Sequence, residues 1–128
     1  MALALALAIL LALPRTALTL AEPPAPDPFT PAQERWIADL EMCESGGDPE
    51  AINPNDLDQT PSYGRFQFKP STLDHYAGKY GVATTTVMDG AVQEAVLRQM
   101  VLHRDEIRWE REFPSCVRRL GLPPEGAV

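Results

Sequence analysis

The segment Cys43-Glu44-Ser45-Gly46-Gly47 places a carboxylate on the apolar side of an amphipathic helix just where that helix must end. On a wheel of about 100° per residue, Cys43, Trp36, Leu40, Glu44 and Ile37 share one arc of about 120°, whereas Glu34, Arg35, Asp39 and Glu41 lie opposite. Glu44 falls between Leu40 and Ile37 in that arc. Removing a carboxyl group from water raises its pKa, and a raised pKa makes it a general acid near neutral pH. The competing expectation is a helix-end glutamate that curls into solvent.

The elements that must position Glu44 are legible in the chain. Thr30 and Gln33 form a capping box, Pro31 suits the first helical position, and Gly46-Gly47 supplies the left-handed cap, so a helix is predicted over Pro31 to Glu44. Residues 48–61 carry turn chemistry (Asn53-Pro54-Asn55-Asp56, Asp58, Thr60, Pro61) and predict a loop or small hairpin. Tyr63, Phe66 and Phe68 surround Gly64 in the short aromatic stretch that follows. A second helix is predicted from Pro70-Ser71-Thr72 to about Tyr80, stopped by Gly81. The longest helix is predicted over Gly90–Arg108 with Asp89 as its N-cap. Its face comprises Val92, Ala95, Val96, Met100, Leu102 and Ile107, with Leu97 and Val101 widening it. Residues 109–113 read as a charged connector, and Pro114–Leu120 as a last short helix capped by Gly121. The expected fold is mainly α, with a small irregular or β-hairpin insertion after Glu44 that walls a cleft with Glu44 at its floor.

The chain opens with an apolar run from Ala2 to Leu13, followed by Pro14, Arg15 and Thr19-Leu20-Ala21. This reads as a secretory signal peptide over residues 1–21, though no Lys or Arg precedes the run. An uncleaved anchor is the alternative, although about 12 apolar residues fall short of the roughly 20 a membrane span needs. A secreted, periplasmic or cell-envelope location follows, with no stable membrane span in the mature form. The organisation expected is 1–21 signal peptide, 22–31 Pro-rich linker, 32–121 domain and 122–128 C-terminal tail. Without the leader 107 residues remain, enough for one modest core that a covalent staple would help. Cys43 and Cys116, the two cysteines of a chain destined for a disulfide-permissive compartment, are expected to pair. Closing a loop of about 70 residues stabilises by roughly 4 kcal/mol in the chain-entropy model. Two free thiols are the alternative.

The formal charge of −7 becomes −8 when Arg15 leaves with the leader. Such a chain is a poor nucleic-acid partner, because phosphate binding needs a basic patch and only Arg118-Arg119 stands out. Asp56-x-Asp58 is no calcium loop, since Pro61 takes the glycine position and Gln67 the acidic twelfth. His75 and His103 are far apart without clustered ligands, which argues against zinc; His103 is expected in the core. A cysteine peptidase built on Cys43 with either histidine would need a free thiolate. Trp36 is expected in the core and Trp109 over the disulfide. No cofactor or metal is expected.

Cys43-Glu44-Ser45-Gly46-Gly47, Ala51-Ile52-Asn53, Tyr63-Gly64-Arg65-Phe66-Gln67-Phe68 and Pro70-Ser71-Thr72, taken together, resemble the lysozyme-like superfamily. The resemblance is specifically to lytic transglycosylases and resuscitation-promoting-factor-type domains, and covers about residues 32–121. It implies an α+β lysozyme-like fold, the Cys43 to Cys116 pairing, and a monomer acting on peptidoglycan glycan strands. The reaction implied is cleavage of the β-1,4 bond between N-acetylmuramic acid and N-acetylglucosamine. Glu44 would be the acid, Gln67 a polar contact near the reacting sugar, and Tyr63 and Phe66 groove-lining residues; Ser45 and Gly64 complete the matched binding motif. In transglycosylases one glutamate serves as acid and then base while the muramic C6 hydroxyl attacks, giving a 1,6-anhydro end. The two-carboxylate hydrolytic scheme, whose type case is a lysozyme, is the alternative, with Asp56 or Asp58 as second carboxylate against a plain turn role. A non-catalytic peptidoglycan-binding or signalling module is a further alternative. Arg65 departs from the pattern, standing where many relatives carry an apolar residue, and is expected either in solvent or against the glycan.

Overall fold

The computed structural model describes residues 20–127, so the expected leader lies outside the described residues apart from its last two positions. Helix α1 spans Pro31–Ser45. Thr30 is extended (φ −76°, ψ 157°), its hydroxyl accepts the Gln33 N–H (3.1 Å), and the Gln33 side chain accepts the Thr30 N–H (2.9 Å). Both bonds satisfy donors that a helix start leaves orphaned. At the other end Gly46 adopts φ +67° and returns its N–H to the Met42 carbonyl, a turn that a side-chain-bearing residue adopts only at a cost.

The insertion is a small antiparallel sheet. Strand β1 (Ile52–Asn53) pairs with β2 (Ser62–Tyr63), Ile52 opposite Tyr63 and Asn53 opposite Ser62. Helix α2 (Pro70–Tyr80) ends at Gly81 in the left-handed conformation, as its sequence demands. Helix α3 begins at Gly90, where the Asp89 carboxylate accepts the N–H groups of Ala91 and Val92.

Helix α3 stops at Leu102, well short of the Arg108 expected. The chain leaves it at His103 and makes one 3-10 turn over Arg104–Glu106. It then runs extended through Ile107, which is 8 % exposed. Tertiary partners override helix propensity here: the Arg104 carbonyl accepts the Trp109 indole N–H (2.9 Å), while the Arg104 guanidinium donates to the Pro123 carbonyl (2.6 Å). The buried face of α3 also differs from expectation, since Leu97 and Val101 are sealed in the core and Leu102 is 42 % exposed. His103 is half-buried, not a core residue; its ring stacks on Tyr80 at 4.4 Å.

The connector read at 109–113 contains a short helix, α4 (Trp109–Glu112), leading into α5 (Pro114–Leu120). Trp109 and Phe113, one turn apart, are both buried and stack at 6.1 Å, and Trp109 meets Trp36 edge-on at 5.3 Å. Core side chains reach from α1 (Leu40) through α3 (Val96, Met100) to α5 (Val117), with Phe66 and Phe68 entering from the hairpin side. Cys43 is bonded to Cys116, Cα atoms 5.8 Å apart, tying the end of α1 to α5. No free cysteine is present among the described residues, which removes the thiolate a cysteine peptidase would require.

The domain edges lie outside 32–121. Phe29 packs on the core beneath the Arg98 guanidinium (4.9 Å to the ring), Pro123 is fully buried, and the Gln33 amide donates to the Pro124 carbonyl. The first residues of the expected tail are thus part of the fold. Among the described residues, no helix is long and apolar enough to cross a membrane.

Candidate active site

Gln93, one of three buried polar residues among the described residues, holds the insertion in place. From the middle of α3 its side-chain amide donates to the carbonyls of Tyr63 (2.8 Å) and Val87, and its oxygen accepts the Phe66 N–H (2.9 Å). Gly64 adopts φ +75° against this amide, where a Cβ would lie 2.6 Å from Gln93 Nε2. Gln93 was legible only as a polar interruption in the apolar face of α3. Two results are expected in urea denaturation. Gln93→Leu should cost about 3 kcal/mol, because three buried backbone groups lose their partners. Gly64→Ala should cost about 1–3 kcal/mol from backbone strain alone.

Within the frame so held, Glu44 occupies the last turn of α1, half-buried. Burial, and then the nearby negative charge of Asp56, push its carboxyl from 4.5 up to about 7. Asp56 moves the other way. Burial opposes its ionisation, but the Ser62 hydroxyl, the Leu57 N–H and the Lys69 ammonium together hold it below the usual carboxylate range. Ser62 is itself sealed in the core and donates to Asp56 Oδ2, while Lys69 lies 3.5 Å from the same carboxylate and also pairs with Asp58. Two carboxyl groups whose environments drive their protonation apart are able to divide the roles of acid and anion between them.

The remaining expected site residues divide sharply. Tyr63 is half-buried on β2 beside Ile52. Gln67 is half-buried with φ +52°, and its amide nitrogen donates to the carbonyls of Ala51 (3.1 Å) and Gly64 (2.9 Å), closing the hairpin. Ser45 caps α1, its hydroxyl bonding the Glu41 carbonyl and accepting the Gly47 N–H. Phe66 corrects the expectation of a groove-lining ring: only 1 % exposed, it is core. Gly64 is likewise buried and serves the turn. Arg65 is half-buried, its side chain 27 % exposed, and its guanidinium is held by protein partners. It pairs with Glu41 on α1 and Glu94 on α3 and donates to the Gly90 carbonyl, so Glu41 is an interhelical partner rather than a free surface charge.

A cleft with Glu44 at its floor was the expectation, and one groove lies near the hairpin. A groove of about 280 Å³ runs between the hairpin loop, the start of α2 and α4, lined by Asp58, Gln67, Lys69, Thr72 and Glu112 among others. Glu44 is not among its lining residues. Lys69 connects the two regions, since it lines the groove and neutralises Asp56, whose charge acts on Glu44. Asp56 and Asp58 do perform turn chemistry, accepting the N–H groups of Leu57 and Thr60. Glu112 is masked in the sequence by its charged neighbours Glu110 and Arg111, which give 109–113 the character of a charged connector. Its one visible clue was position, next to Phe113 and one turn from Trp109. Among the described residues, no group of three His, Cys, Asp or Glu side chains is placed to hold a metal ion. Compared with protein-family models, with curated proteins and with solved structures, the chain finds no match in any of the three.

Proposed function

We propose that the protein is a peptidoglycan-cleaving glycosidase of lysozyme-like type, acting on the β-1,4 bond between N-acetylmuramic acid and N-acetylglucosamine as a lytic transglycosylase. The observation that carries the reading is Glu44, a helix-end carboxyl pushed up to about 7 beside an anion that stays ionised. Protonated near neutral pH, Glu44 donates to the glycosidic oxygen as the bond breaks. The carboxylate it leaves behind then takes the proton of the muramic C6 hydroxyl as that oxygen closes on C1. The group is therefore acid and base in turn, and the 1,6-anhydro product needs no second carboxylate at the sugar. Asp56 suits an electrostatic role in this scheme, since its oxygens are engaged by Ser62, Leu57 and Lys69.

Hydrolysis is the second reading, with the ionised Asp56 as its second carboxylate in place of the muramic C6 hydroxyl's role. Mass spectrometry of peptidoglycan digested by the protein separates the two: anhydro-muropeptides are expected, reducing ends would establish hydrolysis, and undigested sacculi would defeat both. The pH profile has a definite sign. The acid must carry its proton, so kcat/KM should fall as pH rises through about 7. Turnover that climbs steadily past pH 8 would remove Glu44 as the acid.

A further inference from the structure

The insertion leaves α1 at Gly46-Gly47, two exposed glycines with φ +67° and +81°, and so permissive a joint does little by itself to fix the hairpin over the end of the helix. Side chains must do it. Gln93 ties the hairpin to α3 through Tyr63 and Phe66, whereas Arg65 brings it back to α1. The Arg65 guanidinium grips both oxygens of Glu41, Nε on Oε1 and Nη2 on Oε2 (3.3 Å). Its Nη1 reaches Glu94 Oε2 (3.2 Å) and the Gly90 carbonyl (3.3 Å), and Glu94 is itself held by Arg98 (3.4 Å). Arg65 passes so close to Gly90 that a Cβ there would lie 2.6 Å from its Cδ. Both members of the main pair are largely withdrawn from water, Arg65 27 % and Glu41 18 % exposed. A forked grip of this kind fixes orientation as well as distance.

The Glu41 to Arg65 pair spans 24 residues of chain and closes a loop that contains Glu44, three residues after Glu41 on the same helix. That loop is bonded within itself. The Ala51 carbonyl accepts the Gly64 N–H (2.7 Å) and the Gln67 amide (3.1 Å), and Ser62 holds Asp56, so the turn carrying Arg65 and the strand and loop that follow Glu44 form one unit. Around this end of α1 the charged groups are Glu41 on the helix, Asp56 in the hairpin with Lys69 beside it, and Arg119 of α5, 3.8 Å from Cys43 Sγ. Burial and the Asp56 charge are what raise Glu44, not the charge of Arg65. We propose that Arg65 is a positioning residue for Glu44: by clamping the hairpin onto Glu41 it keeps the insertion closed over the end of α1 and holds the Glu44 carboxyl out of water. The effect on turnover rests on the glycan-cleaving function proposed above; the clamp does not. Charge and position predict opposite signs. Removing a nearby cation by itself disfavours a carboxylate and would raise the Glu44 pKa, whereas opening the hairpin admits water and lowers it.

The test is carbon-detected NMR of the Glu44 side-chain carboxyl, assigned with Glu44→Gln and titrated in the disulfide-bonded protein as wild type, Arg65→Leu and Arg65→Lys. The wild-type carboxyl should titrate at about 7, and that of Arg65→Leu below about 6 as water reaches it. Arg65→Lys keeps the charge but not the fork, so Glu44 should move in the same direction. On peptidoglycan, the falling limb of kcat/KM should shift to lower pH with the carboxyl in both variants, which a loss of stability alone would not produce. A wild-type Glu44 that titrates near 4.5, or one that is unmoved or raised in Arg65→Leu, overturns the clamp. If Arg65→Leu does not fold, an unmoved Glu44 in Arg65→Lys overturns it. A lowered Glu44 in Arg65→Leu, in a protein whose wild type leaves peptidoglycan intact, would uphold the clamp and overturn the glycosidase instead. Wild-type digestion with a Glu44 that answers to neither substitution does the reverse.

Discussion

Glu44→Gln is expected to lower peptidoglycan turnover by about 10²- to 10⁴-fold, the range associated with loss of a positioned general acid. Gln keeps the size and polarity of the side chain but has no proton to give, so substrate binding should survive. Release of soluble muropeptides, followed against binding of the variant to insoluble sacculi, separates the two effects. Turnover within threefold of wild type would leave Glu44 without a catalytic part.

The same substitution should stabilise the fold in a pH-dependent way. A carboxyl group raised from 4.5 to about 7 by folding binds its proton more tightly in the native chain. Its contribution is fully present below about 4.5 and is lost as pH rises through about 7. Above that pH the ionised, desolvated Glu44 costs up to about 3 kcal/mol relative to the unfolded chain. Glu44→Gln avoids this cost, so it should match wild type at pH 4 and unfold at higher urea at pH 8. Equal midpoints at both pH values would show that Glu44 is fully hydrated. Under the proposed function the destabilised acid and the catalytic acid would be one group, so the activity and the stability cost would be linked.

Breaking the disulfide should have the largest effect on stability. Cys43 and Cys116 are 73 residues apart in sequence, and closing a loop of that length contributes about 4 kcal/mol by restricting the unfolded chain. Replacing both cysteines by Ser should therefore lower the Tm by roughly 15–30 °C for a domain of this size, read by circular dichroism. Because Cys43 immediately precedes Glu44, turnover should fall at temperatures where the variant is still helical, as the end of α1 loosens from α5. A Tm shift under about 5 °C would mean that the core alone carries the fold.

The local signals were written in single residues and their near neighbours. Thr30, Gln33, Pro31 and Gly46 set the limits of α1; Pro70 and Gly81 bound α2, and Asp89 starts α3, because caps and left-handed turns are satisfied within a few residues of chain. The wheel position of Glu44 was legible for the same reason, and the pairing of the two cysteines followed from their number. Where α3 ends was not legible. Its periodicity continues past Leu102, but Trp109 and Pro123, from elsewhere in the chain, compete for the groups of Arg104 and turn Ile107 inward.

The roles of the site residues depended on the same kind of long-range partner. Phe66 and Arg65 sit in a motif suggestive of a groove, yet the ring fills the core and the guanidinium ties α1 to α3. Gln93, 30 residues beyond Tyr63, holds the hairpin, and Glu112 opens onto a groove that no local pattern announces. The sequence by itself determined α1, α2, α5 and the start of α3, with the presence of one carboxyl on an apolar face, since these follow from backbone hydrogen bonding and a fixed rise per residue. Only the tertiary structure decided which polar atoms were sealed, paired or left open, because desolvation and charge act through space between segments that the chain keeps far apart.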